Sequence, residues 1–423
     1  MSPTQRTRKG NLLIVAFHFP PYAASSGPLR PLKFAHYLSE FAWSTTVLTI
    51  NPFAYERPDY HQWRMTEDGP AVIRAFGLDA RQHLSIRGRY PKLAALPDRW
   101  GSWCLAAIPA GLRAIQERHI DVILTTFPVA SAVLIGYVLH KLTGKPWVVD
   151  FRDPMVHAGS QLDPLTRQIW RWLEEKAVSC ASRLIFTAPS ALRMYLIRYP
   201  QLAKEKCLLV VNGYDEEDFK GLRIDEPITT PSNRPLRLLH AGLLYSKGRD
   251  PRPFFRAAAR LRREGLISPM EVQIQLRGSG NEREYTSVLE ELDLDGLIQV
   301  FNPLPYREAL QECADSDALL LFQGDHFDRQ IPAKTYEYLR LRKPILALAS
   351  PTGDATALLN DMGGTTFVNL QDEEEIYRAL PVFLESLRDG THPLPDRHKI
   401  LQYARRNQAR TLALCLSELT EVE

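Results

Sequence analysis

The chain has 423 residues, enough for two domains that each bury a core. Hydrophobic residues make up 45% and charged residues 24%, a globular balance that excludes a disordered chain. The 52 basic and 49 acidic residues leave a formal charge of +3, too even to mark a nucleic-acid binder.

Residues 1–10, MSPTQRTRKG, are polar and basic, and no apolar segment long enough for export follows them. No apolar run has the length of a membrane span. Cys104, Cys180, Cys207, Cys313 and Cys415 are scattered and form no Cys-x-x-Cys pair, which suggests neither a disulfide framework nor a zinc site. The expected location is the cytoplasm, with a peripheral contact at the inner face of the membrane as an option.

Residues 11–17 (NLLIVAF) form an unbroken apolar run and predict the first buried parallel strand. Pro20, Pro21, small residues 23–27 and Pro28 then make a loop, residues 29–41 show helical spacing, and 45–50 predict a strand. Residues 51–103 are less regular and hold Trp63, Arg81, Arg87, Arg89, Trp100 and Trp103. They read either as a surface that touches a membrane or a lipid-linked acceptor, or as an insertion with its own small cluster. Alternation returns with helices over 104–118, 129–142 and 163–181, and strands at 121–125, 147–151, 183–187 and 207–211. Residues 214–235 are acidic, then rich in Pro, Ser and Thr, and read as a linker.

A second α/β series follows, with strands at 236–240, 271–276, 297–301, 317–322, 345–348 and 365–368. Helices are expected over 251–264, 306–313, about 333–342 and 372–388, and a long amphipathic one over 398–419. The expected division is an N-terminal Rossmann-like domain (1–214), a linker (215–235), a C-terminal Rossmann-like domain (236–397) and a helix (398–423) returning to the first domain. A cleft between the halves is the expected ligand site.

Within residues 331–348, IPAKTYEYLRLRKPILAL, Lys334 and Glu337 share one face of a short helix. A lysine in the first helical turn opposes the macrodipole, so an anion at that end would account for it. The alternative is a surface Lys–Glu pair. Asp293-Leu-Asp295 and Asp315-Ser-Asp317 spell Asp-x-Asp, but both precede strands and are expected at the amino edge of the sheet, away from ligands. No metal is assigned to them.

Several stretches together resemble the family-four glycosyltransferases of the GT-B fold: NLLIVAFHFPPYAASSGPLRPLKFAHYLSEFAWSTTVLT, WVVDFRDP, VVNGYDEEDF, LLHAGLLYSKGRDP, LRGSGNEREY and IPAKTYEYLRLRKPILAL. They occur in the family's order, between about residues 11 and 364. The resemblance implies retaining transfer from a nucleoside diphosphate sugar, held mainly by the second domain, to an acceptor held by the first. The acceptor would be a small molecule or a lipid-linked glycan, as in surface polysaccharide or glycoconjugate synthesis, with no cofactor and no metal. Lys334, Lys247 and Arg249, with backbone near Gly242, are implied as diphosphate contacts, Gly278 as a nucleotide contact and Glu337 as the ribose ligand. Asp153 falls where the family places a polar residue beside the anomeric carbon, with Arg152 as a partner or phosphate contact. Asp153, Lys334 and Arg249 are the expected catalytic residues.

Two departures from the family pattern stand out. The first acid of the Glu-x7-Glu pattern is replaced by Arg329, with Asp325, His326 and Asp328 nearby as substitutes. The glycine pair of the first loop is replaced by Ala23-Ala24-Ser25-Ser26 before a single Gly27, where close backbone approach remains open. Two rivals are a sugar-nucleotide epimerase of the same fold and a partner subunit that has lost its chemistry.

Overall fold

The computed structural model describes residues 10–421 except 24–26, 57, 60–68, 88, 158–161 and 225–233. The chain divides into two compact units, residues 1–211 with 405–423, and residues 212–404.

The first unit contains β1 (Gly10–Val15), α1 (Leu29–Tyr37), β2 (Trp43–Ile50), β3 (Ala71–Ala75), α2 (Ala80–His83), α3 (Trp103–Glu117), β4 (Val122–Phe127), α4 (Ala130–Thr143), β5 (Trp147–Phe151), α5 (Pro164–Cys180), β6 (Arg183–Phe186), α6 (Pro189–Arg198) and β7 (Cys207–Leu209). Its parallel sheet runs β3-β2-β1-β4-β5-β6-β7. Central strands are apolar throughout because helices cover both faces, and Leu12, Leu13, Ile14 and Val15 of β1 are all fully buried.

The second unit contains α7 (Glu216–Phe219), β8 (Leu236–Ala241), α8 (Arg252–Arg263), β9 (Val272–Arg277), α9 (Glu282–Glu291), β10 (Ile298–Phe301), α10 (Tyr306–Asp315), β11 (Ala318–Gln323), α11 (Ala333–Leu341), β12 (Ile345–Ala349), α12 (Asp354–Met362), β13 (Thr365–Val368) and α13 (Glu373–Arg388). Its parallel sheet runs β10-β9-β8-β11-β12-β13. The protein thus consists of two Rossmann-like α/β units.

Helices α6 and α12 are not among the elements expected from the sequence, and three further stretches differ from its reading. Residues 51–103 include β3, an edge strand whose first four residues are only half-buried, so its apolar signal is weak. The stretch after residue 213 begins as structure rather than linker: Asp215 caps the single turn α7 by accepting from Glu217 N at 3.0 Å, and Phe219 is buried. Residues 225–233 of that stretch lie outside the described residues. The last helix, α14 (Arg405–Thr420), starts at Arg405 rather than His398, because 399–403 form a separate 3-10 turn in the second unit. The α14 residues Leu412 and Leu416 share a core cluster with Leu32 and Phe34 of the first unit.

α11 ends at Leu341 because Arg342 takes a left-handed conformation, φ 55°, and Pro344 follows two residues later. Asp317, of the second Asp-x-Asp, stands at the amino end of β11. Both its oxygens accept from Arg234, at 2.8 and 2.7 Å, and Arg237 N donates to one of them.

Candidate functional site

Strand order reverses between β8 and β11, and in an open parallel sheet ligands gather at the carboxyl ends of strands beside such a reversal. His240 and Ala241 end β8, and Gln323 ends β11. The chain leaves β8 through Gly242, whose φ of +113° suits glycine alone. A Cβ at this position would stand 2.7 Å from Lys334 Nζ. The missing side chain therefore lets an ammonium sit against backbone.

Lys334 is the second residue of α11, at the helix end where amides and the macrodipole favour an anion. Its Nζ lies 3.3 Å from His240 Nε2. His240 is completely buried, and its Nδ1 donates to Leu320 O at 2.9 Å, which leaves Nε2 as the acceptor for the ammonium. In that tautomer the 3.1 Å approach of Nε2 to Gly242 O is a contact rather than a hydrogen bond. Burial, and then the Lys334 charge, push His240 well below the ordinary histidine range, so the ring is neutral. Burial, and then the Arg249 charge, bring Lys334 down to about 7.

Arg249 supplies a second cation. Its Nε donates to Gln323 Oε1 at 3.0 Å, and its guanidinium lies 4.6 Å from the Phe327 ring centre. Gln323 is itself held, donating through Nε2 to Phe327 O and Gln330 O. One turn along α11, Glu337 Oε1 accepts from Tyr306 Oη at 2.8 Å. The glycine turn after β9 lies alongside: Gly242 N donates to Arg277 O and Leu244 N to Ser279 O. Gly278 and Gly280 both have positive φ, and Ser279 Oγ is buried without a hydrogen-bond partner among the described residues.

Gly242, Arg249, Lys334, Glu337 and Gly278 all lie within the second unit, at the carboxyl ends of its strands or on α11. Lys247 is exposed on the loop that leads to Arg249. Of the residues considered in place of the missing acid, Asp325 and His326 are exposed, as is Arg329. Asp328 Oδ2 instead accepts from Thr352 Oγ1 at 3.0 Å.

Gly27 and Asp153 belong to the first unit, where strand order reverses between β1 and β4. Arg152 donates to Gly27 O at 3.0 Å, tying the loop after β1 to the end of β5, and the half-buried Asp153 is the next residue. Burial lowers the Arg152 guanidinium, while Asp150 and Asp153 oppose that shift. Beneath them Asp150 accepts two bonds from Arg30, at 2.8 and 2.9 Å, with both residues buried. His18, at the end of the β1 run, is lowered to about 3 by burial and then by Arg152. Ser25 and Ser26, expected as hydroxyl donors, lie outside the described residues.

Sequence reasoning missed His240, Gln323 and Tyr306. The available signal for His240 was a polar ring inside the apolar run LRLLHAG. A neutral histidine, two fixed cations, open helix amides and a carboxylate one turn away can grip a phosphate and hold a neighbouring hydroxyl.

Two Rossmann-like units, one with Lys334 and Arg249 at its strand reversal, give the molecule the GT-B fold. Residues 30–213 match the family described as "Glycosyl transferase 4-like domain". Sucrose-phosphate synthase from Thermosynechococcus elongatus superposes with a TM-score of 0.65 at 14% identity, over 98% of this chain and 100% of that one. HepE from Anabaena, in complex with UDP-glucose, superposes with a TM-score of 0.64 at 14% identity, over 97% and 100%. The N-terminal domain of trehalose-6-phosphate phosphatase from Candida albicans gives 0.67 at 13%, over 97% of each. No curated protein matches by sequence.

Proposed function

We propose that this protein is a retaining glycosyltransferase that moves a sugar from a nucleoside diphosphate sugar, UDP-linked by analogy with the HepE complexes, to an acceptor. The acceptor is a small molecule or a lipid-linked glycan, and surface polysaccharide or glycoconjugate synthesis is the setting that suits it. The observation that carries the proposal is the Lys334 ammonium, seated on Gly242 at the amino end of α11 and aimed by a neutral His240.

In this reading the donor diphosphate lies against Lys334, Arg249 and the Gly242 turn, with Lys247 reaching in from its loop. The Glu337 carboxylate, oriented by Tyr306, holds the ribose hydroxyls, and the Gly278 turn lies beside the nucleoside. The bond between the anomeric carbon and the β-phosphate oxygen breaks as the acceptor oxygen bonds the same face of the sugar. The bonding pair leaves with the phosphate, which takes the acceptor's proton. Fixed cations aimed at the charge that grows on the phosphate favour the transition state over bound donor, and no metal is assigned a part. In the first unit Asp153 faces the acceptor side and Gly27 gives close backbone approach.

Calorimetric titration with UDP, GDP and their sugars tests this, because a built diphosphate site binds at least one of them. Incubation with donor alone follows. Slow hydrolysis fits a transferase starved of acceptor, whereas epimerised donor points to an epimerase. Absence of nucleotide binding would leave a non-catalytic subunit.

A further inference from the structure

The segment between Asp79 and Asp98 carries a surface that the sugar-transfer reading does not use. It holds Arg81, Arg87, Arg89 and Lys92 and no carboxylate, and all four side chains are exposed. Among them stand exposed apolar side chains, with Ile86 at 79% and Leu93 at 78% of full exposure and Leu84 and Tyr90 less so. Ile86 and Arg89 exchange backbone hydrogen bonds, Ile86 N to Arg89 O at 2.8 Å and the reverse at 3.1 Å, which holds these two exposed residues side by side. Next to it, the exposed Phe53 ring packs 4.4 Å from the His83 ring. Among the described residues, Glu56 and Asp79 are both paired with Arg99, and Asp163 feels Lys92.

Isolated exposed apolar residues are ordinary, but several within one short segment, interleaved with cations, mark an interaction face. An anionic lipid surface matches both halves of this chemistry: phosphate headgroups meet the cations while the apolar side chains enter the acyl boundary. No helix among the described residues is long and apolar enough to cross a membrane, so the contact would be peripheral.

We propose that the exposed side chains of Arg81, Ile86, Arg87, Arg89, Lys92 and Leu93 dock this protein onto anionic membranes. The proposal is independent of the transfer chemistry, because vesicle binding needs neither donor nor turnover. The test is co-sedimentation of the full chain with phosphatidylcholine vesicles, with and without phosphatidylglycerol. Sedimentation with the anionic vesicles only, weakening as salt is raised, is the expected result. A charge near the surface changes binding about fivefold, so Arg87→Glu with Arg89→Glu should weaken it at least tenfold. Ile86→Glu with Leu93→Glu should abolish it, each variant melting as wild type does. Hydrogen exchange on the wild-type chain, which needs no variant, should slow across 84–93 when anionic vesicles are present. No sedimentation, equal sedimentation with neutral vesicles, or retention by both variants overturns the proposal. So does concentration-dependent dimerisation lost in the same variants, which would mean that the face meets a second copy.

Discussion

Lys334 Nζ and His240 Nε2 stand 3.3 Å apart, ninety-four positions distant in sequence, with the histidine neutral and its far nitrogen fixed on Leu320 O. This pair holds the ammonium in one place without neutralising it, as a carboxylate partner would. The charge therefore remains available to an incoming anion.

Removing that charge should stop transfer. Lys334→Ala is expected to show no detectable sugar transfer while its thermal transition stays at or above that of the wild type, since a buried cation is lost. Turnover near the wild-type rate, with labelled donor, would contradict the site. Gly242→Ala should act on the same atoms from the other side: its Cβ would displace the ammonium, and φ +113° strains any residue with a side chain. A loss of about 1–3 kcal/mol in denaturant unfolding, with a matching fall in turnover, is expected.

Proton uptake should accompany donor binding. Free Lys334 titrates near 7, and a bound diphosphate stabilises its charged form, so binding above that pH draws a proton from solvent. Titration calorimetry in buffers of different ionisation enthalpy should register uptake at pH 8, and affinity for UDP should fall as pH rises above 7. Lys334→Met should lose both effects.

The same group predicts a slope of stability with pH. Lysine titrates at 10.5 without perturbation and at about 7 in the fold. Between these values the unfolded chain holds a proton that the folded chain lacks, so stability rises with pH across that window. Below 7 both states are protonated and the cost of the buried charge is present in full. Denaturant midpoints measured from pH 7 to 10 should rise less in Lys334→Met than in wild type.

Glu337→Ala should weaken nucleotide binding while sparing the diphosphate grip. Hydrogen bonds to a charged group are worth about 1.5–3 kcal/mol, roughly ten- to a hundredfold in Kd. The loss should appear with UDP and largely vanish with the 2′,3′-dideoxy nucleotide. Tyr306→Phe should give a smaller loss in the same direction, because it only orients that carboxylate.

Arg30 and Asp150 form a buried pair with every guanidinium nitrogen of Arg30 engaged, including bonds to Val210 O and Val211 O. Removing one partner strands the other charge in the core. Arg30→Ala or Asp150→Ala should cost about 3–5 kcal/mol in denaturant unfolding, and replacing both together should cost less than the sum.

Much of the fold was legible because parallel strands covered on both faces are written as unbroken apolar runs, such as NLLIVAF and ALLLF. β3 escaped notice because an edge strand buries little, and AVIRA then resembles a loop. The start of α14 was misplaced because residues 398–404 continue the helical pattern of polarity although their backbone turns differently. Lys334, Arg249 and Glu337 were visible as residue types at helix-end and loop positions. Their supports were not: His240 reads as a core residue, Gln323 as the end of an apolar strand, and Tyr306 as an ordinary helix start.

Local order along the chain, then, prescribed two α/β units and one charged helix terminus, because periodicity and turn chemistry act between near neighbours. What Lys334 faces was settled elsewhere. Strand order sets β8 beside β11 and brings α11 over Gly242, so the contact depends on crossovers that no short stretch of residues encodes.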